Sequence, residues 1–198
     1  MNKKTVWLTG GGTGIGKDLT KLLCDNGFDV IISGWRIDNL IEVAKYNKKK
    51  IFPYKLEVSN LKETDIVAKK IIKKFKFIDL LVLNAAIYSP GSLKEISPIN
   101  AKKVIDINLT STFLLSKSVI KKMLKSKKGK IINITSIVGH TGNIGQSNYA
   151  ASKSGTIGMS KSLSIEYAKK NITINCVSPG FIVSDMTNSI PEKIKNIL

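Results

Sequence analysis

Thr5-Val6-Trp7-Leu8-Thr9-Gly10-Gly11-Gly12-Thr13-Gly14-Ile15-Gly16 is the stretch on which the fold turns. Residues 5–8 form an apolar run of the length expected for a buried strand. Residues 14–26 have the period of a helix, and Gly27 closes it as a C′ residue should. The glycines between strand and helix have separate uses. Gly10 permits the tight turn after the strand, Gly14 lets backbone approach a pyrophosphate, and Gly16 lets the helix pack on the strand. With Thr13 and Ile15 between the glycines, the helix start at 14–17 offers unpaired N–H groups and a dipole that favours phosphate. A purely structural turn is the rival reading. The strand before and the helix after favour phosphate binding.

The same alternation continues along the chain. Apolar runs at 29–33, 51–56, 80–84, 130–135 and 173–177 read as further parallel strands. Helical periodicity occupies 38–45, 61–75, 100–126 and 147–171. Ser59 or Asn60 caps the third helix, with Glu63 in its first turn, and Gly129 follows the fourth helix after Lys127-Lys128. No internal repeat or linker interrupts the pattern. The expected fold is an α/β doubly wound parallel sheet in the order 3-2-1-4-5-6, with residues 1–198 forming one domain. Near the end, Ser189-Ile190-Pro191-Glu192 reads as a helix start.

Composition narrows the choice of function. The formal charge is +18, but all except one of the 32 basic residues are lysine, the exception being Arg36. Arginine is the residue favoured for base edges and bidentate phosphate contacts. The expectation is a lysine-coated surface or an acidic protein partner rather than nucleic acid. No apolar run reaches the roughly 18–20 residues of a membrane span, and the N-terminus reads directly into the first strand. Cys24 on the buried side of the first helix and Cys176 in a core strand read as free thiols. The expected location is the cytoplasm. No residue cluster has metal-ligand spacing.

Chemistry enters with Tyr149-Ala150-Ala151-Ser152-Lys153. Positions four apart share a helix face. A lysine cation beside a phenol favours the phenolate, lowers its pKa and makes it a usable general acid/base. Ser136 lies thirteen residues upstream, at the end of Ile131-Ile132-Asn133-Ile134-Thr135. The glycine motif, the serine and the tyrosine–lysine pair are each weak alone and strong in this order.

On these residues the chain resembles the short-chain dehydrogenase/reductase family. Residues 9–16 match its T-G-x-x-x-G-x-G motif. Its catalytic set falls on Asn108, Ser136, Tyr149 and Lys153. Residues 139–153 and 178–187 are similar to the β-ketoacyl-acyl carrier protein reductases. The resemblance implies that Tyr149 gives a proton to a substrate carbonyl, that Ser136 steadies the same oxygen, and that Lys153 lowers the Tyr149 pKa and holds ribose hydroxyls. Asn108 would link helix backbone and a water to Lys153. Glu57 and Val58 stand near the adenine, and Asn84 and Ala85 pass the cofactor ribose. Leu83 and Ala86 replace the family's usual Asn and Gly. Pro179, Gly180, Ile182 and Ser184 stand by the nicotinamide carboxamide. His140, the only histidine, reads as a solvated loop residue.

The second strand ends in Ser33-Gly34-Trp35-Arg36, without the acid that commonly holds a ribose 2′-hydroxyl in NAD enzymes. With Arg36 adjacent, NADP is the expected cofactor, NADPH preferred and NAD possible. The resemblance implies NADPH-dependent reduction of a ketone, on an acyl carrier protein-linked or small ketone substrate. It also implies a homodimer through the helices at 100–126 and 147–171. The family's last strand is missing after Leu198, which makes the usual tetramer doubtful. Lys121, Lys122, Lys125, Lys127, Lys128 and Lys130, with Lys169 and Lys170, are expected to form a docking field for an acidic carrier near the active-site mouth. The rivals are another short-chain dehydrogenase acting on a small alcohol, sugar or steroid, and a truncated, non-catalytic nucleotide-binding fragment.

Overall fold

Six parallel strands form one sheet in the order β3-β2-β1-β4-β5-β6. The computed structural model describes residues 4–183, so Ser184 and the expected helix start at Ser189 lie outside the described residues. The strands are β1 Thr5–Thr9, β2 Asp29–Gly34, β3 Ile51–Lys55, β4 Leu80–Leu83, β5 Gly129–Ile134 and β6 Ile172–Val177. Among the described residues, four longer helices and three of four to eight residues lie between and after the strands: α1 Gly14–Asp25, α2 Ile37–Ala44, α3 Leu61–Phe75, α4 Pro98–Ile105, α5 Ser111–Ser126, α6 Val138–Thr141 and α7 Ser147–Tyr167. Strand order reverses after β1, which opens a crevice at the carboxyl ends of β1 and β4, where such sheets take ligands.

Side-chain alternation builds a core on each face. Trp7, Ile31, Leu81 and Ile131 point to the side covered by α3 and α5, where Ala68, Ile71, Leu115 and Met123 meet them. Val30 and Ile32 face the other side with Leu40, Val43 and Cys24. Trp7 is fully buried, and its indole N–H donates to Ser33 Oγ at 3.0 Å, so its one polar atom is matched.

Several sequence expectations are refined. Asn60, not Ser59, caps α3, its Oδ1 accepting from Glu63 N at 3.1 Å. Gly27 has φ +87, as its place after α1 demands. At the end of α5 the left-handed residue is Lys127, φ +50, rather than Gly129. Gly129 is needed for space, since a Cβ there would lie 2.3 Å from Met123 Sδ. Cys176 is half-buried on β6, at the edge of the described sheet, not in the core.

The expected helix at 100–126 is broken by a π turn, Asp106–Thr110, joining α4 to α5. A π turn accommodates an extra residue and re-aims the side chains that follow. Asn108 lies in this turn and is buried.

The lysine field does not lie where it was expected. Lys127 and Lys128 precede the first residue of β5, whereas Thr135 and Ser136, which line a cleft, follow its last. Lys169 and Lys170 likewise precede β6. Six residues of strand separate the two ends, roughly 20 Å. On its own chain, the cluster sits at the opposite end of the sheet from the candidate active site.

Candidate active site

Two clefts of about 410 Å³ each meet at the carboxyl ends of the strands, sharing Ile15, Asn84 and Ala86. The first runs past the glycine turn to the end of β2. Gly10 takes φ +70, and its N–H donates to Ser33 O at 2.6 Å. A Cβ on Gly16 would fall 2.1 Å from Gly10 O, so only glycine lets α1 start so close to the turn. Thr13 precedes α1 without capping it by its side chain, and the first turn holds no acid. The leading N–H groups are therefore left for an anion.

Asn84 ties the end of β4 to this turn. Its Nδ2 donates to Thr9 O at 3.1 Å and Gly10 O at 3.2 Å, while Thr9 Oγ1 accepts from the N–H groups of Asn84 and Ala85 at 3.0 Å each. Leu83 is buried in the core, so an apolar residue there keeps β4 anchored. Ala86 lines both clefts.

The rim at the end of β2 is basic. Arg36 lies over the Trp35 ring at 5.1 Å, and its guanidinium donates to Thr13 Oγ1 at 3.5 Å. Trp35, 60% exposed, thus acts as a platform that carries the cation back to the glycine turn. Glu57 and Val58 border the same cleft. The Glu57 carboxylate accepts from Ser59 Oγ at 2.9 Å, which turns it toward its own loop. Lys103 on α4, not anticipated from sequence, also lines this cleft. Glycine backbone, free helix N–H groups and a cation at the ribose end fit a phosphorylated dinucleotide.

The second cleft gathers Ser136, Tyr149 and Lys153 with Pro179, Gly180 and Ile182. Tyr149 and Lys153 lie one turn apart on α7, with the Lys153 ammonium 5.6 Å from the Tyr149 ring centroid. Lys153 is 3% exposed, and its Nζ donates to Ile134 O at 2.8 Å. Ser136 and Tyr149 are within hydrogen-bonding reach of each other. Ser136 Oγ also accepts from Val138 N at 3.2 Å, which opens the short α6 that the sequence did not suggest.

Asn108 reaches this centre indirectly. Its Oδ1 accepts from Ile87 N at 2.9 Å, and its Nδ2 donates to Ile87 O and to Ser152 Oγ, both at 3.0 Å. The π turn thereby holds the segment after β4 against α7, one residue before Lys153. Asn108 and Lys153 are not bonded to each other directly; Ser152 makes the connection. His140, exposed as expected, pairs its Nε2 with Ser178 Oγ at 3.0 Å.

Lys153 was expected to lower the Tyr149 pKa; burial is the largest influence on the phenol and pushes it up, opposed by the Ser136 hydrogen bond and reinforced by Tyr88. Burial also pushes the Lys153 ammonium down to about 8. A phenol with a raised pKa stays protonated at neutral pH, the form a proton donor needs. Among the described residues there is no acid/His/Cys group able to hold a metal, and no helix is long and apolar enough to cross a membrane.

Fold and clefts together define a dinucleotide-binding protein of the doubly wound α/β class with a tyrosine–lysine centre. Residues 4–195 match the family described as short chain dehydrogenase, and the chain belongs to that family. It is 46% identical over 193 residues to a 3-oxoacyl-(acyl-carrier-protein) reductase FabG from Rickettsia conorii, covering 98% of this chain and 78% of that one. A protein of the same description from Thermotoga maritima is 40% identical over 198 residues, covering 98% of this chain and 80% of that one. Among solved structures, a variant of actinorhodin polyketide ketoreductase with NADPH superimposes with a TM-score of 0.93 at 28% identity, covering 99% of this chain and 77% of that one.

Proposed function

We propose that this chain reduces the ketone of a 3-oxoacyl group carried on acyl carrier protein to the 3-hydroxyacyl product, using NADPH, in fatty acid synthesis. The observation that carries the reading is the second cleft, where Ser136, Tyr149 and Lys153 converge beside the dinucleotide groove. The 40–46% identity to 3-oxoacyl-(acyl-carrier-protein) reductases supports the substrate class.

A reduced nicotinamide dinucleotide held in the first cleft by the glycine turn and Arg36 would be the source of hydride for the carbonyl carbon. Tyr149 gives its phenolic proton to the carbonyl oxygen, so C=O becomes CH–OH and a phenolate remains. Ser136 donates to the same oxygen and steadies the charge developing there. The Lys153 ammonium stabilises the phenolate and, with its pKa near neutrality, can return the proton. Asn108 acts as a positioning residue through Ser152. Pro179, Gly180, Ile182 and Ser184 are assigned to the nicotinamide end, and Gly10, Thr13, Gly14, Ile15 and Gly16 to the pyrophosphate. The test is oxidation of NADPH by purified protein with a 3-oxoacyl thioester. Turnover of a steroid, sugar or small alcohol in its place, with none of the thioester, overturns the reading.

Cofactor choice follows from the basic rim. Arg36→Ala removes the cation beside Thr13 and is expected to raise the Kd for NADPH about tenfold, since a charge-assisted contact is lost. The Kd for NADH should stay the same. Titration of both cofactors by fluorescence checks this, and equal losses on the two would remove Arg36 from 2′-phosphate recognition.

A homodimer through the long helices completes the proposal. Ile99 on α4, Phe113 on α5 and Ile165 on α7 are all exposed, with apolar surface that a partner chain would bury. Light scattering should report a dimer for the parent and a shift toward monomer for Phe113→Asp. An unchanged dimer in the variant puts the interface elsewhere.

A further inference from the structure

Tyr88 shares the second cleft with Ser136, Tyr149 and Lys153. Its ring meets Tyr149 edge-on, with centroids 5.8 Å apart and an interplanar angle of 90°. Its hydroxyl accepts from Gln146 Nε2 at 3.0 Å. A phenol can both donate and accept. Gln146 occupies its accepting side, and no described residue receives its hydrogen. Packing against Tyr149 does not need that hydroxyl, because a phenylalanine ring would pack as well.

Gln146 has a matching peculiarity. Its Oε1 is buried without a partner among the described residues. Turning the amide over would place Oε1 against the Tyr88 hydroxyl and leave Nε2 unmatched instead. The donor therefore exists with Nε2 toward the hydroxyl oxygen, the placement in which Tyr88 keeps its own hydrogen to donate into the cleft.

A 3-oxoacyl thioester has two carbonyls separated by one methylene. Tyr149 and Ser136 serve the ketone that is reduced. The thioester carbonyl enters the same cleft, and burying it without a donor is unfavourable. We propose that the Tyr88 hydroxyl, oriented by Gln146, donates to the thioester carbonyl and thereby selects ketones with a second carbonyl at the 3-oxo spacing. The inference rests on the 3-oxoacyl reading of this site. Tyr88 contributes binding and alignment, and proton transfer stays with Tyr149.

The test is Tyr88→Phe, assayed on a 3-oxoacyl N-acetylcysteamine thioester and on a cyclic ketone of similar size with no second carbonyl. The KM for the thioester is expected to rise about fivefold to tenfold, the loss of one hydrogen bond, with kcat nearly kept. Kinetics on the cyclic ketone and NADPH binding by fluorescence should match the parent. Equal losses on both substrates, no loss on either, or lost NADPH binding would overturn the role of Tyr88. A parent protein that reduces the cyclic ketone but not the thioester overturns the 3-oxoacyl reading itself, and the role of Tyr88 with it.

Discussion

Tyr149→Phe is expected to lower kcat for 3-oxoacyl thioester reduction by about 10²–10⁴-fold, the range for removing a general acid, while the Kd for NADPH stays within about twofold. The phenylalanine ring keeps the edge-on contact with Tyr88 at 5.8 Å, so the cleft keeps its shape. What is lost is the proton and the bond to Ser136. On the proposed reading, cofactor affinity rests mainly on the glycine turn, the α1 N-terminus and Arg36, which border the first cleft, whereas Tyr149 lines the second. Stopped-flow reduction and fluorescence titration on the same preparation separate the two effects. The raised Tyr149 pKa also gives a sign. Burial keeps the phenol protonated through neutrality, so the fall in reduction with rising pH should begin around pH 8, where the Lys153 ammonium is lost, rather than with the phenol. A variant that keeps more than half the parental kcat takes Tyr149 out of the mechanism.

The parts of this centre that were legible in sequence are the local ones. Tyr149 and Lys153 are four residues apart, and helix geometry alone puts them on one face. The glycine turn sits between a strand and a helix that periodicity marks clearly, and the alternating apolar runs give the sheet order. The missed parts depend on contacts across long sequence distances or on a single inserted residue. Tyr88 and Gln146 lie 58 residues apart and meet only because β4 ends and α7 begins at the same edge of the sheet. The π turn at Asp106–Thr110 leaves the apolar periodicity on either side readable as one helix, so nothing local marks it. Arg36 folds over Trp35 toward Thr13, a side-chain choice made by packing rather than by the order of residues. The lysine field is a different case, because strand direction was already implied. A residue just before a parallel strand lies at the opposite end of the sheet from one just after it, and that separates Lys127 and Lys128 from Ser136.

Lys153→Met is expected to abolish the reaction and stabilise the fold at once. On activity, removing the cation beside Tyr149 leaves the developing phenolate uncompensated, with a loss of about 10²–10⁴-fold. On stability, the sign follows from burial. Burial lowers the Lys153 pKa from 10.5 to about 8, so the folded protein holds the charge at a cost. Below about pH 8 the lysine is charged in both folded and unfolded chains, and the whole penalty is present. Between about 8 and 10.5 the unfolded chain binds more protons, so stability rises with pH. Above 10.5 the group is neutral in both states and the penalty is gone. The size is about 3 kcal/mol, and roughly 1 kcal/mol is returned by the hydrogen bond from Nζ to Ile134 O, which methionine cannot make. The net gain for the variant at pH 7 is then about 2 kcal/mol, or roughly 5 °C in Tm for a chain of this size. Thermal melts at pH 7 and pH 10 check both halves, because the advantage of the variant should shrink at the higher pH. A variant less stable than the parent at pH 7 would mean that the ammonium contributes to the fold rather than straining it, and that the chain keeps Lys153 for structure as well as for chemistry.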